Sequence, residues 1–183
     1  MRILLTAAGR HGATAEILDL IARVLRERGF HAEVRNPGTV DDLRGYDAVV
    51  LGSAVYYGSW LPAARDFAGR HAAGLRTMPV WLFSNGPVGD PLFPSDGPSG
   101  VPGLLRLTGA RGHRLFGGRL DRRSLGPVER AVARLIPAAD GDYRDTDDIE
   151  AWAAGIGESL MRLSEQGPRS RDDRVSGRAQ TAI

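Results

Sequence analysis

The sequence predicts a doubly wound α/β domain, five parallel strands with helices on both faces. Three observations carry that expectation. Short, nearly continuous apolar runs occur at 2–6, 47–55 and 79–84, as in strands buried on both faces. Stretches of 3.6-residue apolar periodicity lie between and after them. The two kinds of segment alternate, which is how a parallel sheet with crossover helices reads.

Taken in order, Arg2 to Thr6 is the first strand, and a helix follows from Thr14 with Ile17, Leu20, Ile21, Val24 and Leu25 on one stripe. Gly29 supplies its stop. Residues 31–35 (HAEVR) suit a short edge strand, Asn36-Pro37-Gly38 a turn, and 40–44 a single helical turn. After the strand at 47–55, a helix is expected over 61–73, with Pro62 tolerated in its first turn. The strand at 79–84 leads into a Gly- and Pro-rich loop, then a short helix at 101–108 and a strand at 113–118 (HRLFGG). Helices are predicted over 127–136 and 146–163. The latter carries Ile149, Trp152, Ala153, Ile156, Leu160 and Leu163 on one face and acids in its first turn. The domain is therefore expected to span 1–163. Residues 164–183 lose periodicity and read as a disordered tail.

Composition narrows the function. The chain has 183 residues, 42% hydrophobic and 25% charged, as expected for one soluble domain with an adequate core. No apolar stretch approaches the roughly 20 residues that span a bilayer, and MRILL is too short for a signal peptide, so cytoplasmic residence is the expectation. There is no cysteine, which excludes thiol catalysis and cysteine metal sites. All 24 basic residues are arginine, against 22 acidic residues interspersed with them, which argues for a solvated charged surface and against nucleic-acid binding. The four histidines, at 11, 31, 71 and 113, show no metal-ligand spacing.

In a doubly wound sheet a ligand binds at the carboxyl ends of the strands, at the switch point of strand order. The loops after the first, third and fourth strands should then be unusual, and they are. The first is AAGRHGAT. The next, GSAVYYGSW, carries Tyr56, Tyr57 and Trp60 beside a glycine, and the last is SNGPVGDP. Small, backbone-exposing loops beside an aromatic-rich one suit a ligand with a phosphate and a flat ring, although a plain βα turn also accounts for the first loop. Gly9-Arg10-His11-Gly12 does not fit G-x-G-x-x-G, and the absence of lysine excludes a P-loop. Thr6-Ala7-Ala8 and Gly52-Ser53-Ala54 lack the acids of a response-regulator receiver.

The motifs resemble those of flavodoxins, and more closely the flavodoxin-domain group that contains the menaquinone-dependent protoporphyrinogen oxidases. That group reads S-T/S-R-D/H-G-x-T-x-x-I in its first loop, where this chain has AGRHGATAEI from Ala8 to Ile17. The similarity continues through GSAVYYGSWLPAARDF, FSNGP, GGRLD and GDYRDTDDIEAWA, covering about residues 2 to 163. The resemblance implies a flavodoxin-like fold with strand order 2-1-3-4-5 and bound FMN. Ala8, Gly9, Arg10, His11, Gly12, Ala13 and Thr14 would form the phosphate loop, held by backbone N–H groups and the helix dipole. Ser53, Ala54, Val55, Tyr56, Tyr57 and Gly58 would flank the ring, with a tyrosine stacked on the isoalloxazine or merely capping the sheet end. Ser84, Asn85, Gly86 and Pro87 would meet its pyrimidine end, or simply form a Pro-Gly loop. No catalytic side chain is expected, because the flavin carries the electron chemistry.

The implied activity is oxidation of protoporphyrinogen IX with a quinone as acceptor, a step of heme biosynthesis. A quinone reductase or another small flavin dehydrogenase, a flavodoxin-type electron carrier and a flavin-free regulatory domain are the alternatives, and the near balance of charge argues against a carrier with an acidic docking surface. One departure stands out. The group places hydroxyls where this chain has Ala8 and Gly9, and each hydrogen bond lost to an anion costs roughly 1.5–3 kcal/mol. Ala8→Ser with Gly9→Thr is therefore expected to tighten FMN, and Thr14→Ala to weaken it while leaving the fold intact. Finally, residues 121–136 place Leu125, Val128, Val132, Leu135 and Ile136 on one face and Arg123, Arg130 and Arg134 on the other. That helix either packs on the core or dips into a membrane boundary where a lipid quinone is found.

Overall fold

The computed structural model describes residues 1–86, 88, 97–123, 126–134 and 138–166. Five parallel strands form the main sheet: β1 (Arg2–Ala8), β2 (His31–Arg35), β3 (Ala48–Tyr56), β5 (Val80–Asn85) and β6 (Gly112–Phe116). Their order is β2-β1-β3-β5-β6, the expected doubly wound arrangement with the reversal between β1 and β3. Helices α1 (Ala13–Glu27) and α6 (Thr146–Glu165) cover one face, and α2 (Pro62–Arg70) and α4 (Val101–Thr108) the other.

Alternation along each strand explains the two layers. Ile3, Leu5, Val50 and Phe83 point to Ile17, Ile21 and Leu25 of α1 and to Ile149, Ala153 and Ile156 of α6. Leu4, Val49, Leu51 and Leu82 point instead to Ala64 and Phe67 of α2 and Leu104 of α4. Each large side chain buried in this way stabilises the fold by about 1.5–3 kcal/mol. With both faces of the central strands closed by apolar packing, the strand ends are left for polar chemistry.

Several elements differ from the expectation. The segment expected to be a loop after the third strand is a hairpin: β3 runs on to Tyr56 and pairs antiparallel with β4 (Ser59–Trp60). Tyr57 (φ 50°) and Gly58 (φ 72°) make the tight turn, a two-residue connection with both central residues left-handed. Residues 40–44 form no helix. The Asp42 carboxylate accepts from the Arg44 N–H at 2.8 Å, a local turn that competes with helix, while Val40 and Leu43 are buried. The helix expected over 61–73 splits into α2 and α3 (Ala72–Leu75) at His71, whose ring lies 4.7 Å from that of Phe67 and 3.2 Å from the Val40 carbonyl.

The sixth strand ends at Phe116 rather than at 118, because the next two residues serve another contact. A Cβ on Gly117 would lie 1.9 Å from the Tyr143 carbonyl oxygen, and one on Gly118 3.0 Å from Gly86 Cα. Three backbones meet there, and beyond them β7 (Arg119–Leu120) pairs antiparallel with β8 (Gly141–Asp142) in a small second sheet. Helix α5 (Pro127–Ala133) is shorter than expected. Its Ala133 is buried with Val88 and Leu120, but Val128 is 71% exposed, so the expected stripe is not a single core face. Leu125, Leu135 and Ile136 lie outside the described residues, as does the side chain of Val132. Helix α6 extends to Glu165, and the remainder of the expected tail from 167 lies outside the described residues.

The glycine junction sets a direct test. Gly117→Ala should lower stability by about 1–3 kcal/mol in denaturant unfolding. Gly155→Ala, in the middle of α6 with nothing within 4 Å of the added methyl, should raise it by about 0.5–1 kcal/mol.

Candidate functional site

Three strand ends bring the predicted residues together. Ala8 lies beside Ser53, Ser53 beside Ser84, and Ala54 beside Asn85 in the parallel registers. The first loop is tied to the end of β5 by a buried hydrogen bond, in which the Thr14 hydroxyl donates to Asn85 Oδ1 at 2.8 Å. It is tied to the hairpin by Tyr56, whose ring lies 4.9 Å beneath the Arg10 guanidinium and 6.4 Å from the His11 ring. A partly exposed cation–π contact of this kind stabilises by about 0.5–1 kcal/mol. Gly86 backs onto Val55, its would-be Cβ only 3.2 Å from the Val55 carbonyl oxygen. Tyr57 stands at the hairpin tip, 72% exposed. Pro87 lies outside the described residues.

The polar groups here face two ways. Ser53 and Ser84 are wholly buried and their hydroxyls are engaged inside the fold. Ser53 Oγ accepts from the Leu61 N–H (2.9 Å) and donates to the Ala54 carbonyl (2.7 Å). Ser84 Oγ accepts from Trp60 Nε1 at 2.6 Å and lies 2.7 Å from His113 Nε2. The indole N–H can only donate, so the arrangement that satisfies all three groups has the Ser84 hydroxyl donating to a neutral His113. Burial pushes the His113 imidazole below its ordinary range, in keeping with that assignment. Backbone groups of 53–58 and 84–86, rather than these hydroxyls, are what the two segments offer a ligand.

The first loop offers N–H groups. Helix α1 begins after Gly12, a residue at φ 85° with no capping side chain, so the first-turn amides have no intrahelical partner by construction. By contrast α6 is capped by Asp145, which accepts from the Asp148 N–H at 3.0 Å. An uncapped helix start of this kind can receive an anion on its free N–H groups.

The loop also corrects two expectations about its variants. A Cβ on Gly9 would lie 2.6 Å from Thr14 Oγ1 and 2.7 Å from Thr14 Cβ, so Thr at position 9 collides with the residue that anchors the loop. The close approach of Thr14, rather than a missing hydroxyl, explains the glycine. Thr14→Ala is likewise not neutral for the fold, because it leaves the buried Asn85 carbonyl oxygen without its donor, at a cost of about 1–3 kcal/mol.

Sequence reasoning overlooked the outer wall of the loop. Arg119 donates through Nη1 to Glu16 (3.1 Å to Oε1) and through Nη2 to the His11 carbonyl (3.1 Å). Arg144 reaches the other Glu16 oxygen at 2.7 Å, and also Asp142 at 2.5 Å and the Ala13 carbonyl at 3.3 Å. These neighbours hold both carboxyls below the usual carboxylate range, with Arg144 as the main cause in each. The signal was in GGRLD and GDYRD, which hold Arg119 and Arg144, but nothing in the spacing places either beside residue 11.

This geometry defines a class: an α/β domain whose switch-point loops present an anion-receptive helix start beside an aromatic hairpin. The chain belongs to the flavodoxin-domain family, whose model matches residues 4–147. That membership indicates FMN as the cofactor. Over 86 residues the chain is 34% identical to protoporphyrinogen IX dehydrogenase [quinone] of Escherichia coli K12, a match covering 46% of this chain and 48% of that protein. The chain thus spans about half the length of the curated relatives it matches. Its fold is similar to that of a flavodoxin from the domain Archaea (TM-score 0.62, 14% identity, 88% of this chain and 99% of that one). It is also similar to Bacillus cereus flavodoxin 2 (TM-score 0.60, 20% identity, 87% and 99%) and to rubredoxin oxygen:oxidoreductase of Desulfovibrio gigas (TM-score 0.62, 12% identity, 88% and 36%).

The His113 contact makes the fold pH-sensitive with a definite sign. Its folded pKa lies below that of an unfolded imidazole, about 6.5, so the unfolded chain binds the extra proton and stability falls as pH drops below about 6.5. Urea unfolding at pH 7.5 and 5.5 should show a smaller loss for His113→Gln than for the parent. An equal loss in both would remove His113 as the cause.

Proposed function

We propose that the chain is an FMN-dependent oxidoreductase that oxidises protoporphyrinogen IX and passes the electrons to a quinone. The observation that carries the reading is the convergence of the uncapped first turn of α1, the Tyr56 hairpin and the end of β5, joined by the Thr14–Asn85 hydrogen bond. Family membership and the name of the Escherichia coli relative support it.

In this reading the backbone of 8–14 receives the phosphate, and the first-turn amides of α1 supply the donors. Tyr56, steadied by Arg10, and the exposed Tyr57 flank the ring, while the backbones of 53–58 and 84–86 line its polar edge. When bound, FMN supplies the redox centre that accepts an electron pair from a reduced substrate and returns it to an acceptor. The protein's own residues position the ring and limit solvent access, and none of them is required as a nucleophile. Peripheral contact with a membrane through 121–136 belongs to the same reading, supported by the exposed Val128 on α5. No described helix is long and apolar enough to cross a membrane.

The purified protein should be yellow, and denaturation should release FMN. Anaerobic addition of protoporphyrinogen IX and menaquinone should then produce porphyrin fluorescence at a rate that follows FMN occupancy. A loaded protein that exchanges electrons with a reductase but yields no porphyrin is a carrier instead. For the membrane contact, Val128→Asp should abolish flotation with anionic liposomes while keeping the parent melting temperature, since the side chain is already in solvent. A parent that does not float rejects that contact.

A further inference from the structure

The outer wall of the phosphate loop poses an electrostatic problem. Glu16 lies in the first turn of α1, its Oε1 3.6 Å from the position a Cβ would take on Gly12. A bare carboxylate there repels any anion received by the same turn, which opposes the attraction of the helix dipole. The family's side-chain hydroxyls at positions 8 and 9 are absent, and the crowding of Gly9 by Thr14 prevents one from being restored there. The chain nevertheless holds two arginines against that single carboxylate.

Those arginines come from opposite sides of the small second sheet. Arg119 begins β7 and reaches Glu16 and the His11 carbonyl, with Nη2 also 3.7 Å from the Gly12 Cβ position. Arg144, two residues beyond β8, is the more buried and takes the other Glu16 oxygen at 2.7 Å. Its second partner, Asp142, balances its charge from behind. Arg119 also faces Asp142 across the β7/β8 pair, but its Nη2 donates to the His11 carbonyl, so its guanidinium stands against the loop's own backbone. We infer that Arg119 is a phosphate-selecting residue of the FMN site: with Arg144 it neutralises Glu16, and it supplies the positive field that the missing hydroxyls would otherwise have replaced by hydrogen bonds. The inference rests on the FMN reading and adds to it a residue outside all three predicted loops. Flavodoxin-type loops need no cation, and this one has recruited a cation from a hairpin more than a hundred residues away.

The consequence is selectivity between flavins. FMN and riboflavin share the ring and the ribityl chain and differ only in the phosphate, so a residue that acts on the phosphate alone separates them. Affinity for both is measured by quenching of flavin fluorescence, with no turnover required. Arg119→Gln should weaken FMN on the order of tenfold while leaving riboflavin within about twofold. Glu16→Gln should do the reverse, tightening FMN with riboflavin unchanged, because it removes the repelling carboxylate and leaves both guanidinium groups in place. A merely destabilised fold cannot produce that opposite sign. The parent's preference for FMN over riboflavin should also shrink as salt is raised from 0.05 to about 0.5 M. If Arg119→Gln moves FMN and riboflavin equally, or moves neither, or if Glu16→Gln weakens FMN, the inference is overturned while the FMN reading stands. If the parent binds neither flavin, the FMN reading falls and the inference with it.

Discussion

The central strands β1, β3 and β5 are apolar on both faces, and this constrains everything else in the molecule. Ile3 and Leu5 face one helical layer, and Leu4 faces the other. The same division holds for Val49 and Val50 and for Leu82 and Phe83. A sheet closed in this way has no polar face to offer a ligand. Its strand ends are the place where backbone donors, glycines and aromatic rings can meet, and the switch between β1 and β3 opens the crevice between them.

Within that crevice the side-chain polar groups mostly hold the protein together rather than reach outward. Thr14 is engaged with Asn85, Ser53 with the backbone of 54 and 61, and Ser84 with Trp60 and His113. Thr14 joins the start of α1 to the end of β5, Ser53 joins β3 to the start of α2, and Ser84 joins β5 to β4 and β6. The loops are therefore held in register by buried hydrogen bonds, and the backbone amides are left in fixed positions. Such preorganisation lets a loop with few side-chain donors still receive an anion.

The small β7/β8 sheet gives the fold a second tier. The backbone junction at Gly117, Gly118, Gly86 and Tyr143 fixes the sheet against the end of β5, and its two arginines then close on the first turn of α1. Packing of main chain on main chain thus sets the position of charge. Glycine at 117 and 118 and the arginines at 119 and 144 belong to one device, although they are read as separate motifs in the chain.

The sequence by itself determined the layering, because buried parallel strands and amphipathic helices announce themselves by period, while the strand order followed from the resemblance of its motifs to the flavodoxin family. It also pointed to the three loops, whose glycines and aromatics are local features. The breaks from regular structure were less legible. The hairpin at Tyr57-Gly58 reads as a loop until its pairing is seen, and the split at His71 depends on Val40 and Phe67. Only the tertiary structure decided why Gly9 is glycine, which way the hydroxyls of Ser53 and Ser84 face, and which cations stand beside Glu16. Those facts are contacts made by the folded chain, from the five-residue reach of Gly9 to Thr14 to pairs as far apart as Glu16 and Arg144. Periodicity records the environment of a residue relative to its near neighbours and carries no trace of which remote side chain completes it.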